Sequence, residues 1–347
     1  MSATGKLGLC VNPMSGRDVR RLAGRASTMT HEGKRDRVAR IAAGAEAVGI
    51  RDLYVTREPY NIAAGALELM PLKCGVHVLD LALSNDERDT ERSVQAFIEV
   101  GVQTLVSLGG DGTNRAIVRS LAQKLGDRSG EIALLPLSTG TNNVYPTLTE
   151  PTVVGMAAGL EAQGLLAEPD LRLRSKVLHI RGTDGHGRPV DDVGLIDAVQ
   201  LHPDHPGNLL PFDPDKISRI LLTRAEPTAI GMSPIGGLLE EVLERDDAGL
   251  LVELGPGGQR FQAPVSPGLF RPVSVRSVER IPFDVPVVFE GPGVLALDGD
   301  RDYKLPDPGA LTVCIRRSGP AVVDVAAAMR WATRAGIITR SLASTDD

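Results

Sequence analysis

The sequence is poor in cysteine, with Cys10, Cys74 and Cys314 as the only thiols in 347 residues. They are widely spaced and odd in number, which excludes a disulfide framework, and Cys10 and Cys314 fall in strand-like segments where buried, reduced thiols belong. Histidine is scarce too, at six residues. His202 and His205 sit beside Pro203 and Pro206 without metal-ligand spacing, so a proline-rich loop accounts for them. No apolar run nears the ~20 residues a membrane-spanning helix requires, and the opening Met1–Lys6 has no signal-peptide apolar core. The expectation is a cytoplasmic protein with no integral membrane association. Positive charge falls short of negative, 38 Lys and Arg against 44 Asp and Glu, for a net charge of −6. That balance argues against a nucleic-acid partner. One stretch runs the other way, with Arg17, Arg20, Arg21, Arg25, Lys34, Arg35, Arg37 and Arg40 close together. It reads as a solvated helix face or as cations for anionic ligand groups.

What is present is a chain of ordinary apolar content (42%), long enough for two domains. Its first half alternates strands and helices. Strands are expected at Leu7–Val11, Asp52–Thr56, Val76–Leu81, Val102–Leu108 and Ile132–Leu135, with helices near 35–48, 61–70, 86–100, 114–125 and 152–162. The run at 102–108 is largely apolar in character and has no charged residue, as in a strand buried on both faces. This alternation predicts a doubly wound α/β domain over 1–165, whose ligands bind beyond the carboxyl ends of the strands. From Leu171 the pattern changes to short strands punctuated by Pro and Gly, among them Gly194–Leu201, Ile217–Thr223, Leu250–Leu254, Val273–Val278, Val285–Phe289, Val294–Leu297 and Leu311–Arg316. A β-rich, sandwich-like domain over 166–320 is expected. An amphipathic helix over Val322–Ile338 follows, in a 321–347 segment that packs back on the first domain.

Three polar turns carry the chemistry. The strand Leu105–Leu108 runs into Gly109-Gly110-Asp111-Gly112-Thr113 and then a helix from Asn114. Glycines let phosphate approach backbone N–H groups, and a helix N-terminus aims its positive end at the same place. Asp111 is then a carboxylate in a site built for anions, suited to holding Mg²⁺ or taking a proton from an attacking hydroxyl. A P-loop is excluded, because no Gly-Lys-Ser/Thr ending is present. Leu137-Ser138-Thr139-Gly140-Thr141-Asn142-Asn143 follows the next strand with a row of donors and acceptors, and Asn12-Pro13-Met14-Ser15-Gly16 ends the first strand. Three polar turns at three strand ends describe one cleft. Asp197, inside an apolar stretch, needs a ligand-facing position or a partner, and Asp298-Gly299-Asp300 also suits a hairpin turn.

Together these turns resemble the NAD kinase and diacylglycerol kinase superfamily, and Ser138–Pro146 is similar to its ATP-NAD kinase-like branch found with acetoin catabolism, the AcoX-like proteins. The resemblance implies a Rossmann-like nucleotide domain followed by a β-sandwich domain, with homo-oligomers common. Gly194–Val199 resembles the strand where NAD kinases carry an Asn-Glu pair, here Ile196-Asp197. Gly231–Gly237 resembles their substrate segment without its usual Thr and Tyr residues, and Leu297–Asp300 resembles their Asp-Gly turn. The implied activity is Mg²⁺-dependent phosphoryl transfer from ATP to a small-molecule hydroxyl, foremost NAD. The alternatives are a lipid or polyol kinase, the lipid version weakened by the lack of an evident apolar surface motif, and a non-catalytic nucleotide-binding regulator. Asp111 and Asp300 are the expected catalytic carboxylates, Asp111 also the metal ligand. Asn12, Gly16, Gly109, Gly110, Gly112, Thr113, Ser138, Thr139, Gly140, Thr141 and Asn142 are expected to bind nucleotide, with Arg17, Arg20 or Arg21 supplying charge. Asn143, Asp197, Ser233 and Asp298 are expected to meet the acceptor.

Overall fold

The protein is described from a computed structural model, covering residues 5–16, 28–140, 143–207, 213–305 and 307–339. Its first half runs β1 (Lys6–Val11), α1 (His31–Ala47), β2 (Asp52–Thr56), α2 (Ile62–Leu67), β3 (Gly75–Leu79), α3 (Glu87–Glu99), β4 (Thr104–Gly109), α4 (Asp111–Leu125), β5 (Ala133–Ser138) and α5 (Pro151–Ala162). The strands pair in parallel in the order β3-β2-β1-β4-β5. Parallel strands need crossovers, and the helices that provide them cover both faces. Leu7, Leu9 and Leu53 pack on one face against Ile41, Ile62 and Val154 from α1, α2 and α5. Leu105 and Leu134 pack on the other against Phe97 and Ile117 from α3 and α4. Every residue of β4 is buried, as its uncharged, largely apolar character leads one to expect.

Helices α1 and α5 touch backbone to backbone. A Cβ on Gly44 would stand 2.1 Å from the Thr152 carbonyl oxygen, and one on Gly155 would stand 2.1 Å from that of Ile41. Only glycine permits that approach.

The second half contains β6 (Arg172–Arg174), β7 (Val177–Thr183), β8 (Pro189–Gly194), β9 (Asp197–Leu201), β10 (Ile217–Leu222), α6 (Ser233–Gly237), β11 (Ala248–Ser266), β12 (Leu269–Pro282), β13 (Val287–Glu290), β14 (Gly293–Leu297), β15 (Asp300–Leu305) and β16 (Ala310–Arg316), closing with β17 (Ala321–Val323) and α7 (Val325–Arg334). A six-stranded sheet, β12-β11-β10-β9-β14-β15, faces a four-stranded one, β13-β16-β7-β8. Ala198, Leu221, Leu295 and Leu297 of the first interlock with Leu178, Ile180, Phe289 and Val313 of the second. This is the sandwich expected from the strand spacing.

Three boundaries differ from expectation. The alternating segment from Leu171 opens with β6, which pairs with β17 in the first sheet, and β17 itself lies parallel to β5. The chain therefore returns to the first domain by a strand as well as by α7, whose Val325, Ala328 and Ala332 join the core beside α5. The stretch Gly194–Leu201 is two strands, because the amides of Leu195 and Ile196 donate to a side-chain carboxylate, that of Asp298, and leave the ladder. Finally, α4 starts at Asp111 rather than Asn114, with Gly110 as its cap.

Candidate active site

The strand order brings the three polar turns together. β1 lies between β2 and β4, where the direction of winding reverses, and its end meets β4 at Val11–Leu108. Gly109 pairs with Ser138 across β4 and β5. Doubly wound sheets bind ligands at such a reversal. A cleft of about 830 Å³ opens there, lined by Asn12–Gly16, Gly110–Thr113, Asn143, Asp197 and Asp298–Asp300. Ile196, Ile230, Met232, Val265 and Leu269 give its second-domain wall an apolar character.

Side chains knit the turns to one another. Asn12 accepts from the Met14 amide at 2.8 Å and donates to Thr113 Oγ1 at 2.8 Å, joining the β1 turn to the glycine-rich turn. Asn143 donates to Ser138 Oγ at 2.8 Å and accepts from the Asp111 amide at 3.4 Å. Asn114 donates to the Gly110 carbonyl and accepts from Ser107 Oγ, holding the first turn of α4 on β4.

The glycines divide by function. A Cβ on Gly109 would meet the Thr113 side chain at 2.4 Å, and one on Gly110 would meet Asn143 Oδ1 at 2.7 Å. Packing requires both. A Cβ on Gly112 would find no protein atom within 4 Å, and Gly112 lines the cleft. It sits in the first turn of α4, where N–H groups lack intrahelical acceptors and the helix dipole favours an anion.

Of the expected carboxylates, Asp111, Asp197, Asp298 and Asp300 all line the cleft, and two of them also hold the protein's own amides. Asp111 does border the cleft, but its oxygens accept from the amides of Val144 at 3.1 Å and Tyr145 at 2.8 Å, tying the loop after β5 to the start of α4. Burial pushes its pKa up to about 6 against the pull of those two amides, and the nearby Asp298 adds to the rise. Asp298 is wholly buried and accepts from the amides of Leu195, Ile196 and Asp197. Burial raises its pKa, opposed first by Arg115. Asp298 and Gly299 both have positive φ, 50° and 92°, as a two-residue hairpin between β14 and β15 demands. Asp300 and Asp197 line the cleft at the starts of β15 and β9.

Other expected residues sit behind the cleft. The buried Ser233 hydroxyl donates to the Arg224 carbonyl and accepts from the Glu226 amide, closing a loop of the second domain. Ser138 and Thr139 are buried, and the Ser138 hydroxyl donates to the Gly140 carbonyl. These three support the wall and do not line it. Thr141, Asn142, Arg17, Arg20 and Arg21 lie outside the described residues. The described members of the basic stretch turn to protein atoms. Lys34, fully buried, donates to the carbonyls of Asn12 and Pro13, Arg37 to that of Ser138, Arg35 to that of Tyr60, and Arg40 to Glu150.

Sequence reasoning missed Arg115. One helical turn past Asp111, it lies buried against Asp192, Asp302 and Asp298. Burial disfavours its charge, but the three carboxylates outweigh that and raise its pKa. An arginine on a helix next to charged neighbours reads as solvent-facing, so no local signal marked it.

The ATP-NAD kinase N-terminal domain family matches residues 15–164, and the acetoin catabolism protein X C-terminal domain family matches residues 176–318. The chain is 33% identical over 339 residues to an acetoin catabolism protein X of Cupriavidus necator, covering 94% of this chain and 92% of that one. A probable lipid kinase YegS-like of Xanthomonas euvesicatoria pv. vesicatoria is 36% identical over 92 residues, 26% of this chain and 28% of its own. Yeast NADH kinase complexed with NADH has the same fold, with a TM-score of 0.51, 14% identity, and coverage of 92% of this chain and 82% of that one. With an NAD kinase-type first domain ahead of its own class of β domain, the chain belongs to the acetoin catabolism protein X family.

Proposed function

We propose that the protein, a kinase of the NAD kinase and lipid kinase superfamily, transfers the terminal phosphoryl group of ATP to a hydroxyl of a small molecule, NAD being the leading acceptor. The observation that carries this is Gly112. It is a glycine that no protein packing requires, at the amino end of a helix, facing the cleft. The N–H groups of the first turn of α4 would hold the donor phosphates, and the Asn12–Thr113 and Asn143–Asp111 links keep that turn in place.

These residues fit magnesium as a companion of the nucleotide. Among the described residues no three His, Cys, Asp or Glu gather into a metal site, and Mg²⁺ is commonly held by phosphate oxygens, water and one or two carboxylates. Bound with the nucleotide, it would neutralise charge on the transferring group. Asp111 is the nearest carboxylate to the turn itself, with Asp300 on the opposite wall. With a pKa near 6, Asp111 is ionised at neutral pH and able to accept the acceptor's proton while its other lone pairs stay on Val144 and Tyr145. Phosphoryl transfer is chiefly positioning and charge neutralisation, so few further catalytic groups are required.

A lipid acceptor gains support from the apolar wall of Ile230, Met232, Val265 and Leu269. The test is ADP formation from ATP and Mg²⁺ against NAD, diacylglycerol and small polyols, with Asp111→Ala in parallel. Nucleotide binding without Asp111-dependent ADP from any acceptor would overturn the kinase reading in favour of a regulatory binder.

A further inference from the structure

The Arg115 guanidinium touches three separate parts of the site at once. It leaves α4 four residues after Asp111, on the helix whose amino end faces the cleft. Its Nε donates to the Val193 carbonyl at 2.7 Å and its Nη2 to Asp192 at 2.7 Å, both near the end of β8. Its Nη1 donates to Asp302 at 2.8 Å on β15 and to the Leu297 carbonyl at 3.4 Å on β14. Nε also stands 3.9 Å from Asp298, the carboxylate that gathers the amides of residues 195–197. Arg119 and Tyr303 secure Asp192 from the other side, at 2.7 and 2.6 Å. Only 5% of the Arg115 side chain is exposed.

Such a group is costly to bury and is poorly replaced, because a planar fork with five donors serves several acceptors in fixed directions where an ammonium cannot. Asp300 stands between Asp298 and Asp302 in the hairpin that Arg115 grips, and Asp197 follows the loop that Asp298 caps. We infer that Arg115 is a positioning residue: it fixes the Asp298–Asp302 hairpin and the 195–196 loop of the second domain, with Asp197 after it, in register with the glycine-rich turn of the first. The two walls of the cleft thereby share one geometry set by one side chain. The inference rests on the proposed kinase reading for its consequence on turnover, but its structural content does not.

The test is Arg115→Lys in the full chain, with Asp302→Asn as a second variant that leaves the guanidinium in place. Backbone hydrogen exchange on Arg115→Lys should accelerate about tenfold or more at residues 195–197 and 298–302 while β4 and β10 keep their protection. With an active acceptor, kcat should fall about tenfold or more while KM for ATP changes less than about threefold. Asp302→Asn should show a smaller effect, confined to 298–302. Uniform acceleration across the second domain, or equal losses in kcat and in ATP affinity, would make Arg115 ordinary domain adhesive and overturn the inference. If the wild-type protein turns nothing over, the exchange pattern alone decides, so failure of the kinase reading is distinguishable from failure of this one.

Discussion

Replacing Gly112 by alanine should make the protein more stable and a poorer nucleotide binder. The added methyl finds no protein atom within 4 Å, and Gly112 has no positive φ, so it clashes with nothing and strains nothing. Within a helix, Gly→Ala at an unstrained position stabilises by about 0.4–1 kcal/mol through the unfolded chain. In a protein of this size that is on the order of 1–2 °C in Tm. The same methyl stands at the mouth of α4, where a phosphate would approach the amides to hydrogen-bond distance. Displacing it should weaken ATP binding about tenfold or more, equivalent to ~1.4 kcal/mol. Thermal unfolding and calorimetric titration with ATP and Mg²⁺, on the same preparations, read both effects. Gly110→Ala is the control, since its methyl would press on Asn143 Oδ1 at 2.7 Å and should lower stability and affinity together. A Gly112→Ala protein with a raised Tm and unchanged ATP affinity would refute the phosphate-cradle reasoning and leave a plain strand-to-helix turn.

Three further outcomes follow from the geometry. Gly155→Ala would force a methyl to within 2.1 Å of the Ile41 carbonyl oxygen, so α1 and α5 must separate at a cost of about 1–3 kcal/mol or more; an unaltered melting curve would contradict that contact. Asp298→Ala would leave three buried amides without their acceptor, costing about 3 kcal/mol or more, with Asp298→Asn milder; denaturant midpoints would show the order. Asp111, its pKa raised to about 6 from ~3.9 in the unfolded chain, binds its proton more tightly when folded. Its contribution to stability is therefore full below pH ~4 and lost as pH rises through 6, while turnover, on the proposal that the Asp111 carboxylate takes the acceptor's proton, should rise over the same window. Asp111→Asn should flatten the first profile, by urea unfolding at pH 5 and 8, and abolish the second; a stability loss in that variant as large at pH 8 as at pH 5 would sink the assignment.

Much of the fold was legible because it rests on long-period patterns. The largely apolar β4 segment, bounded by the glycine-rich turn, fits a fully buried strand, and the alternation of strands with helices left a parallel sheet as the economical solution. The short pieces were not legible. β6 and β17 have three residues each and take their sheet from distant partners, so no local pattern distinguishes them from strands of the sandwich. The break at Leu195–Ile196 depends on a carboxylate about a hundred residues further on. The early start of α4 was hidden by its glycines, which argue against helix in propensity: Gly110 caps the helix where Asn143 leaves no room for a Cβ, and Gly112 lies in its first turn facing open space.

The site shows a subtler limit. An acidic residue in a cleft invites a ligand role, yet four carboxylates that border this one bind the protein's own amides. Glu58 accepts from Tyr60, Ile62 and Ala63, Asp89 from Ser84 and Asn85, Asp111 from Val144 and Tyr145, and Asp298 from Leu195 to Asp197. Each fixes a connecting loop at the rim. Charge spent on oriented N–H groups is largely compensated before any ligand arrives, which reconciles a cleft rich in acids with the polyanionic donor proposed for it. Lys34 and Arg37 of the basic stretch likewise turn to the protein, donating to carbonyls at the ends of β1 and β5, so in the proposed reading attraction for phosphate falls to the amino end of α4. Cleft charges thus build walls first, and in the proposed reading those walls present the helix end to the donor.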